Sequence, residues 1–192
     1  MIRPKHVRLI LPTANKISVT VMSGSNVTAW FDIRSYDIDG LQDEEGIKSA
    51  TTYVEQLIEA EIKSGFPVML GGFSQGGALA LYAALNSKFK LAGVLLLSCW
   101  LPPTYDDSEA TVNSNSSDVM TNLNTHFLQM HGDQDDSVPI KYGRLSAEIL
   151  EPILPNYVFK SFNGVRHTVS SEMISDAMEF LEYHLPEYKT IV

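Results

Sequence analysis

A chain of 192 residues with 44% hydrophobic and 19% charged residues is long enough to bury one sizeable core, and a single domain over residues 1–192 is expected. Its net charge of −9 and pI near 4.9 repel phosphates, which excludes nucleic acid and argues against an anionic membrane surface as the main partner. A single cysteine, Cys99, excludes an internal disulfide framework, and the start, Met1-Ile2-Arg3-Pro4-Lys5-His6, has charges but no apolar run behind it, so no secretory leader and a soluble cytoplasmic protein are expected.

Residues 6–11 form a short β-prone run that Pro12 ends. After a long connection, Asp43 caps a helix whose Ile47, Ala50, Val54, Leu57, Ile58 and Ile62 recur at three- and four-residue steps until Gly65 and Pro67 stop it. Val68-Met69-Leu70 enters a glycine-rich segment and residues 78–85 leave it as a helix. A buried parallel strand is expected over residues 93–98, a polar surface loop over 104–124, a strand over 125–130 and a helix over 142–150. The last strand covers 158–162, and a final helix begins at Ser170 or Ser171, carrying Met173, Ile174, Ala177, Phe180, Leu181 and Leu185 to Pro186. Strand and helix alternate throughout. That pattern implies an α/β fold, a mostly parallel sheet flanked by helices, with ligands beyond the C-terminal ends of the strands.

At the strand-to-helix turn stands Gly72-Phe73-Ser74-Gln75-Gly76. A serine so placed is lifted above the sheet on a strained turn, and side chains two residues away on either side would collide, so glycine flanks it. The bare pattern arises by chance in roughly 6% of chains this long; the strand before it, the helix after it and the added Gly77 make a nucleophile the better reading.

Two later strands end in segments able to supply its partners. One is His131-Gly132-Asp133-Gln134-Asp135-Asp136-Ser137-Val138-Pro139, the other Asn163-Gly164-Val165-Arg166-His167. The order Ser, Asp, His is that of α/β-hydrolase triads. His167, one loop beyond a strand and ahead of a capped helix, is the candidate base. His131 is expected to tie down its own turn. Spacing leaves Asp133, Asp135 and Asp136 open as the third member. A calcium loop starting at Asp133 would need glycine at Val138 and glutamate at Arg144. There is no Cys/His cluster, so neither metal nor cofactor is expected.

With these segments together, the chain resembles the acyl-protein thioesterase and lysophospholipase family of α/β-hydrolases. The shared stretches include Trp30-Phe31-Asp32, Asp43-Glu44-Glu45-Gly46-Ile47, residues 71–79, Leu91-Ala92-Gly93-Val94, Ser98-Cys99-Trp100-Leu101-Pro102, residues 131–139 and His167. The resemblance implies Asp135 as the third member, through the pattern His-Gly-x-x-Asp-x-x-Val-Pro. It also implies hydrolysis of S-acylated proteins, carboxylic esters or lysophospholipids through an acyl-enzyme, with the Gln75 N–H facing the oxyanion. Trp30, Trp100 and Leu101 are candidates for an acyl channel, with core packing the equal alternative for the tryptophans. Membrane contact is expected to be transient, and the oligomeric state is open.

Family members carry an upstream strand ending in a His-Gly-Leu-Gly-Asp type loop, which these 192 residues do not supply. The expectation is therefore an N-terminally truncated fold, from an internal or misassigned start or a shortened isoform. Residues 6–11 then either pair directly with residues 68–72 or face an empty slot. The matching alternative in function is an impaired relative that binds acyl chains or acylated proteins with little turnover.

Overall fold

The computed structural model describes residues 4–35, 40–103 and 121–187. Its centre is a four-stranded parallel sheet, β3 (Met69–Phe73), β4 (Gly93–Leu97), β5 (Phe127–Gly132) and β6 (Tyr157–Phe162), in that spatial order. Apart from it, β1 (Lys16–Val19) and β2 (Ser25–Thr28) form an antiparallel hairpin inside the stretch expected to be a plain connection.

Among the described residues four helices connect and cover the sheet: α1 (Glu44–Lys63), α2 (Gln75–Asn86), α3 (Ile140–Leu150) and α4 (Ser171–His184). Both expected caps are present, since Gly46 N–H donates to the Asp43 carboxylate at 3.3 Å and Met173 N–H to Ser170 Oγ at 3.2 Å. Period-two alternation divides the sheet into faces. Val94, Leu96 and Phe127 join the larger core with Ile47, Val54, Leu81 and Leu150, whereas Leu95, Leu97, Leu128 and Met130 face Met173, Ala177 and Phe180 of α4. Helix α2, buried from Gly77 to Leu85, lies close against the sheet because Gly77 has no side chain: a Cβ there would stand 2.7 Å from Cys99 Cβ and 2.9 Å from the Gly72 carbonyl.

Two expectations need correction. Residues 6–11 form no strand. They make no ladder with β3, whose outer side carries no strand among the described residues, so the run lacks the backbone bonds that would make it a strand. It is instead held by side chains, through an Arg8–Glu61 ion pair, Arg8 over the Phe66 ring at 5.6 Å, and His6 against the Leu185 carbonyl at 2.6 Å. Leu9, Ile10 and Leu11 remain exposed.

The other concerns the polar stretch 104–124, most of which lies outside the described residues. At its described end Thr121 and Asn124 are exposed, as expected of a surface loop, but Asn122 is 1% exposed. The Asn122 amide donates to the Ala84 and Phe89 carbonyls at 3.1 and 3.0 Å and accepts from Leu91 N–H and Thr125 Oγ1 at 2.9 Å each. It thereby joins the end of α2, the entry to β4 and the approach to β5. Four bonds offset the burial of a polar amide.

Candidate active site

Ser74 stands between the end of β3 and the start of α2, with φ 55° and ψ −125°. A non-glycine residue in that region costs about 1–3 kcal/mol. Ser74 N–H donates to the Leu97 carbonyl at 2.9 Å and Ala78 N–H to the Ser74 carbonyl at 3.0 Å, which pins both sides of the turn. Gly72 is required here, since a Cβ would lie 2.2 Å from the Gly76 carbonyl oxygen. Gly76 differs from expectation. A Cβ on it would meet only Trp30 Nε1, at 3.8 Å, because its Cα faces the cleft rather than the strand.

His167 Nε2 stands 3.0 Å from Ser74 Oγ, and His167 Nδ1 stands 2.8 Å from Asp135 Oδ2. Asp135 is 7% exposed; its other oxygen accepts from Ser137 N–H at 3.0 Å and Val138 N–H at 2.8 Å. Burial pushes the Asp135 carboxyl up, but the hydrogen bonds from His167, Val138 and Ser137 and the nearby imidazole outweigh it and hold the group below the usual carboxylate range. An ionised carboxylate only accepts, so the proton shared with His167 belongs on Nδ1, and the Nε2 lone pair faces the Ser74 hydroxyl. The Phe73 ring packs beside the imidazole at 4.6 Å between centroids.

The geometry separates the three aspartates. Asp135 reaches His167, while its neighbours join the two loops: Asp133 accepts Gly164 N–H at 2.7 Å, and Asp136 pairs with Arg166. Backbone bonds from Asp133 N–H to the Phe162 carbonyl and from Gln134 N–H to the Val165 carbonyl, each 3.0 Å, complete the seam. Gly132 permits it, as a Cβ would lie 2.1 Å from the Val165 carbonyl oxygen.

Beside Ser74 is a cleft of about 390 Å3 lined by Pro12, Ala14, Trp30, Phe73, Gln75 and Gly76, among others. Gln75 is the first residue of α2, so its N–H has no acceptor within the helix and lies next to Ser74. Its side chain has a task that sequence gave no hint of. Trp30 N–H donates to Gln75 Oε1 at 3.0 Å and Gln75 Nε2 to the Phe31 carbonyl at 2.8 Å, fastening the Trp30 wall to the nucleophile turn. Trp100 and Leu101 are not among the residues lining this cleft; both pack with the larger core, and Leu101 N–H donates to Ser146 Oγ at 2.7 Å. Among the described residues no group of three His, Cys, Asp or Glu side chains is arranged to hold a metal ion.

The family model for phospholipase/carboxylesterase matches residues 1–185. Acyl-protein thioesterase 1 of Gibberella zeae is 37% identical over 190 residues, covering 94% of this chain and 78% of the relative. The protein of the same name from Kluyveromyces lactis is 33% identical over 182 residues, covering 92% and 77%. Acyl-protein thioesterase 2 of Zea mays superposes with a TM-score of 0.81 at 29% identity, covering 91% of this chain and 80% of that one. SOBER1 of Arabidopsis thaliana superposes with a TM-score of 0.81 at 26% identity, covering 92% and 83%. With its parallel sheet, its serine on a strand-to-helix turn and its match along nearly its whole length, this chain belongs to the phospholipase/carboxylesterase family of α/β-hydrolases.

Proposed function

We propose that the chain is a serine hydrolase that releases fatty acyl groups from S-acylated protein cysteines, and from related carboxylic esters and lysophospholipids, through an acyl-enzyme on Ser74. The observation that carries this reading is the unbroken hydrogen-bonded line from Ser74 through His167 to Asp135. His167 Nε2 takes the hydroxyl proton as Oγ bonds to the acyl carbon, and Asp135 stabilises the imidazolium. The oxyanion forms against the Gln75 N–H. As the C–S bond breaks the thiolate leaves, helped by a thiol pKa near 8.5, and takes the proton from Nε2. Water then gives a proton to Nε2, its oxygen bonds to the acyl carbon, and Ser74 is released with its proton restored.

The cleft has a mixed lining, in which Pro12, Ala14, Trp30 and Phe73 offer apolar contact for a hydrocarbon chain beside the polar Thr13, Thr28 and Gln75. No helix among the described residues is long and apolar enough to cross a membrane, and in this reading contact with a lipid surface is transient. A second reading, an acyl-binding relative with little turnover, draws on the outer edge of β3 beside Ser74, which carries no partner strand among the described residues.

Hydrolysis of an acyl thioester by purified protein, alongside Ser74→Ala and His167→Ala, separates the two. Release of free thiol by the parent and its loss in both variants is expected. A folded parent that binds the thioester without releasing thiol overturns the first reading and leaves the second.

A further inference from the structure

His131 is the last but one residue of β5, is fully buried at 0% exposure, and takes no part in the line from Ser74 to Asp135. Its Nε2 lies 2.8 Å from the Val138 carbonyl oxygen and 3.5 Å from Asp135 Oδ2, the same oxygen that meets His167. Its Nδ1 is buried with no hydrogen-bond partner among the described residues. These contacts decide the tautomer. A proton on Nδ1 would be a buried donor with nothing to receive it, while the Nε2 lone pair would face two oxygens. A proton on Nε2 instead meets acceptors only. The bare side of the ring fits this assignment, because α3 approaches there through Gly143, where a Cβ would stand 2.5 Å from Nδ1.

We propose that His131 is a positioning residue of the reaction, its Nε2–H directed at the Val138 carbonyl and the Asp135 carboxylate so that Oδ2 stays aligned with His167. The proposal rests on the catalytic reading of Ser74, Asp135 and His167 given above. Val138 N–H already binds the Asp135 Oδ1 oxygen at 2.8 Å, so the imidazole closes the loop it serves: Val138 donates to the carboxylate, and His131 donates to Val138 and faces the carboxylate's other oxygen. Such a post must not take a charge. Burial holds His131 below the usual histidine range against the opposing pull of the Val138 carbonyl and Asp135, and the proximity of His167 acts in the same direction as burial.

The test compares side chains that place an N–H differently. Glutamine sets an amide nitrogen near the Nε2 position, whereas asparagine reaches only as far as Nδ1, so His131→Gln keeps the donor and His131→Asn loses it. His131→Leu serves as the apolar control. Expected with an acyl thioester are near-parent turnover in His131→Gln and a kcat lower by roughly 10- to 100-fold at unchanged KM in His131→Asn.

A separate readout is the downfield proton resonance of His167 Nδ1–H against Asp135. It reports the alignment even in a protein that turns nothing over, so a silent parent defeats the catalytic reading while this resonance still decides the role of His131. Its presence in the parent and His131→Gln and its loss or displacement in His131→Asn and His131→Leu supports the proposal. Equal kinetics and an equal resonance in His131→Gln and His131→Asn overturn it.

Discussion

Gly72 and Gly76 flank Ser74 symmetrically in sequence, and the structure requires replacement of each by alanine to have opposite effects on stability. At Gly72 the new methyl lies 2.2 Å from Gly76 O, 2.3 Å from Gly76 C and 2.5 Å from Gly77 N. All three atoms are backbone in the first turn of α2, so no rotamer change relieves the clash. Overpacking typically costs about 1–3 kcal/mol, and a clash with backbone alone belongs at or above the top of that range. For a chain of this length about 3 kcal/mol lowers Tm by roughly 6–12 °C. At Gly76 the methyl meets one atom at an ordinary 3.8 Å, and the residue's φ lies outside the left-handed region. The helix-propensity gain from glycine to alanine is about 0.5–1 kcal/mol, or roughly 1–4 °C in Tm. Thermal and urea unfolding followed by circular dichroism should show Gly72→Ala strongly destabilised and Gly76→Ala slightly stabilised. The Gly76 methyl projects toward Trp30 in the cleft, so its penalty should appear in KM. Equal loss of stability in both variants would refute the reasoning.

Asn122→Ala removes four hydrogen bonds that are mostly buried; at about 1 kcal/mol each the loss is about 4 kcal/mol, readable as a lower urea midpoint, and a change below about 1 kcal/mol contradicts the role given to it. Asp135→Asn should leave substrate binding in place and lower kcat by roughly 10⁴-fold, since an amide beside Nδ1 favours the wrong imidazole tautomer; steady-state kinetics with near-parent kcat would count against the assignment. Stability should fall on acidification below about pH 6.5: burial lowers His131 and His184, the latter also through His126, so each binds a proton more readily when unfolded, and that loss continues until the folded-state pKa is reached. Urea midpoints from pH 7 to 5 should decline less in His184→Gln than in the parent, and identical declines would contradict this.

Element type was legible wherever local pattern and burial agree. The repeat from Ile47 to Ile62 marks α1, and the apolar run through Val94 and Leu96 marks β4, because each turns these side chains to the core. Residues 6–11 show the limit of such reading, since a β-prone run becomes a strand only where a neighbour supplies hydrogen bonds, and that neighbour is a tertiary fact. Asn122 shows another: an amide in a polar stretch reads as solvated, and only the convergence of Ala84, Phe89, Leu91 and Thr125 buries it. At the site, chain order pointed to Ser74 and His167, whereas spacing could not choose among the aspartates. Side-chain direction separates them, with Asp135 turned inward to the imidazole and Asp133 and Asp136 turned to the seam. The Gln75 clamp and the second contact of His131 arise from residues brought together by the sheet, so no local pattern encodes them.

The central claim is that Ser74 is a nucleophile activated by His167. The most direct measurement is intact-mass and peptide mass spectrometry after exposure to a fluorophosphonate, which bonds covalently to an activated serine hydroxyl. The account predicts one adduct per chain, on Ser74, absent in Ser74→Ala and strongly slowed in His167→Ala. A well-folded protein that stays unmodified, or carries its adduct on another residue, would contradict it.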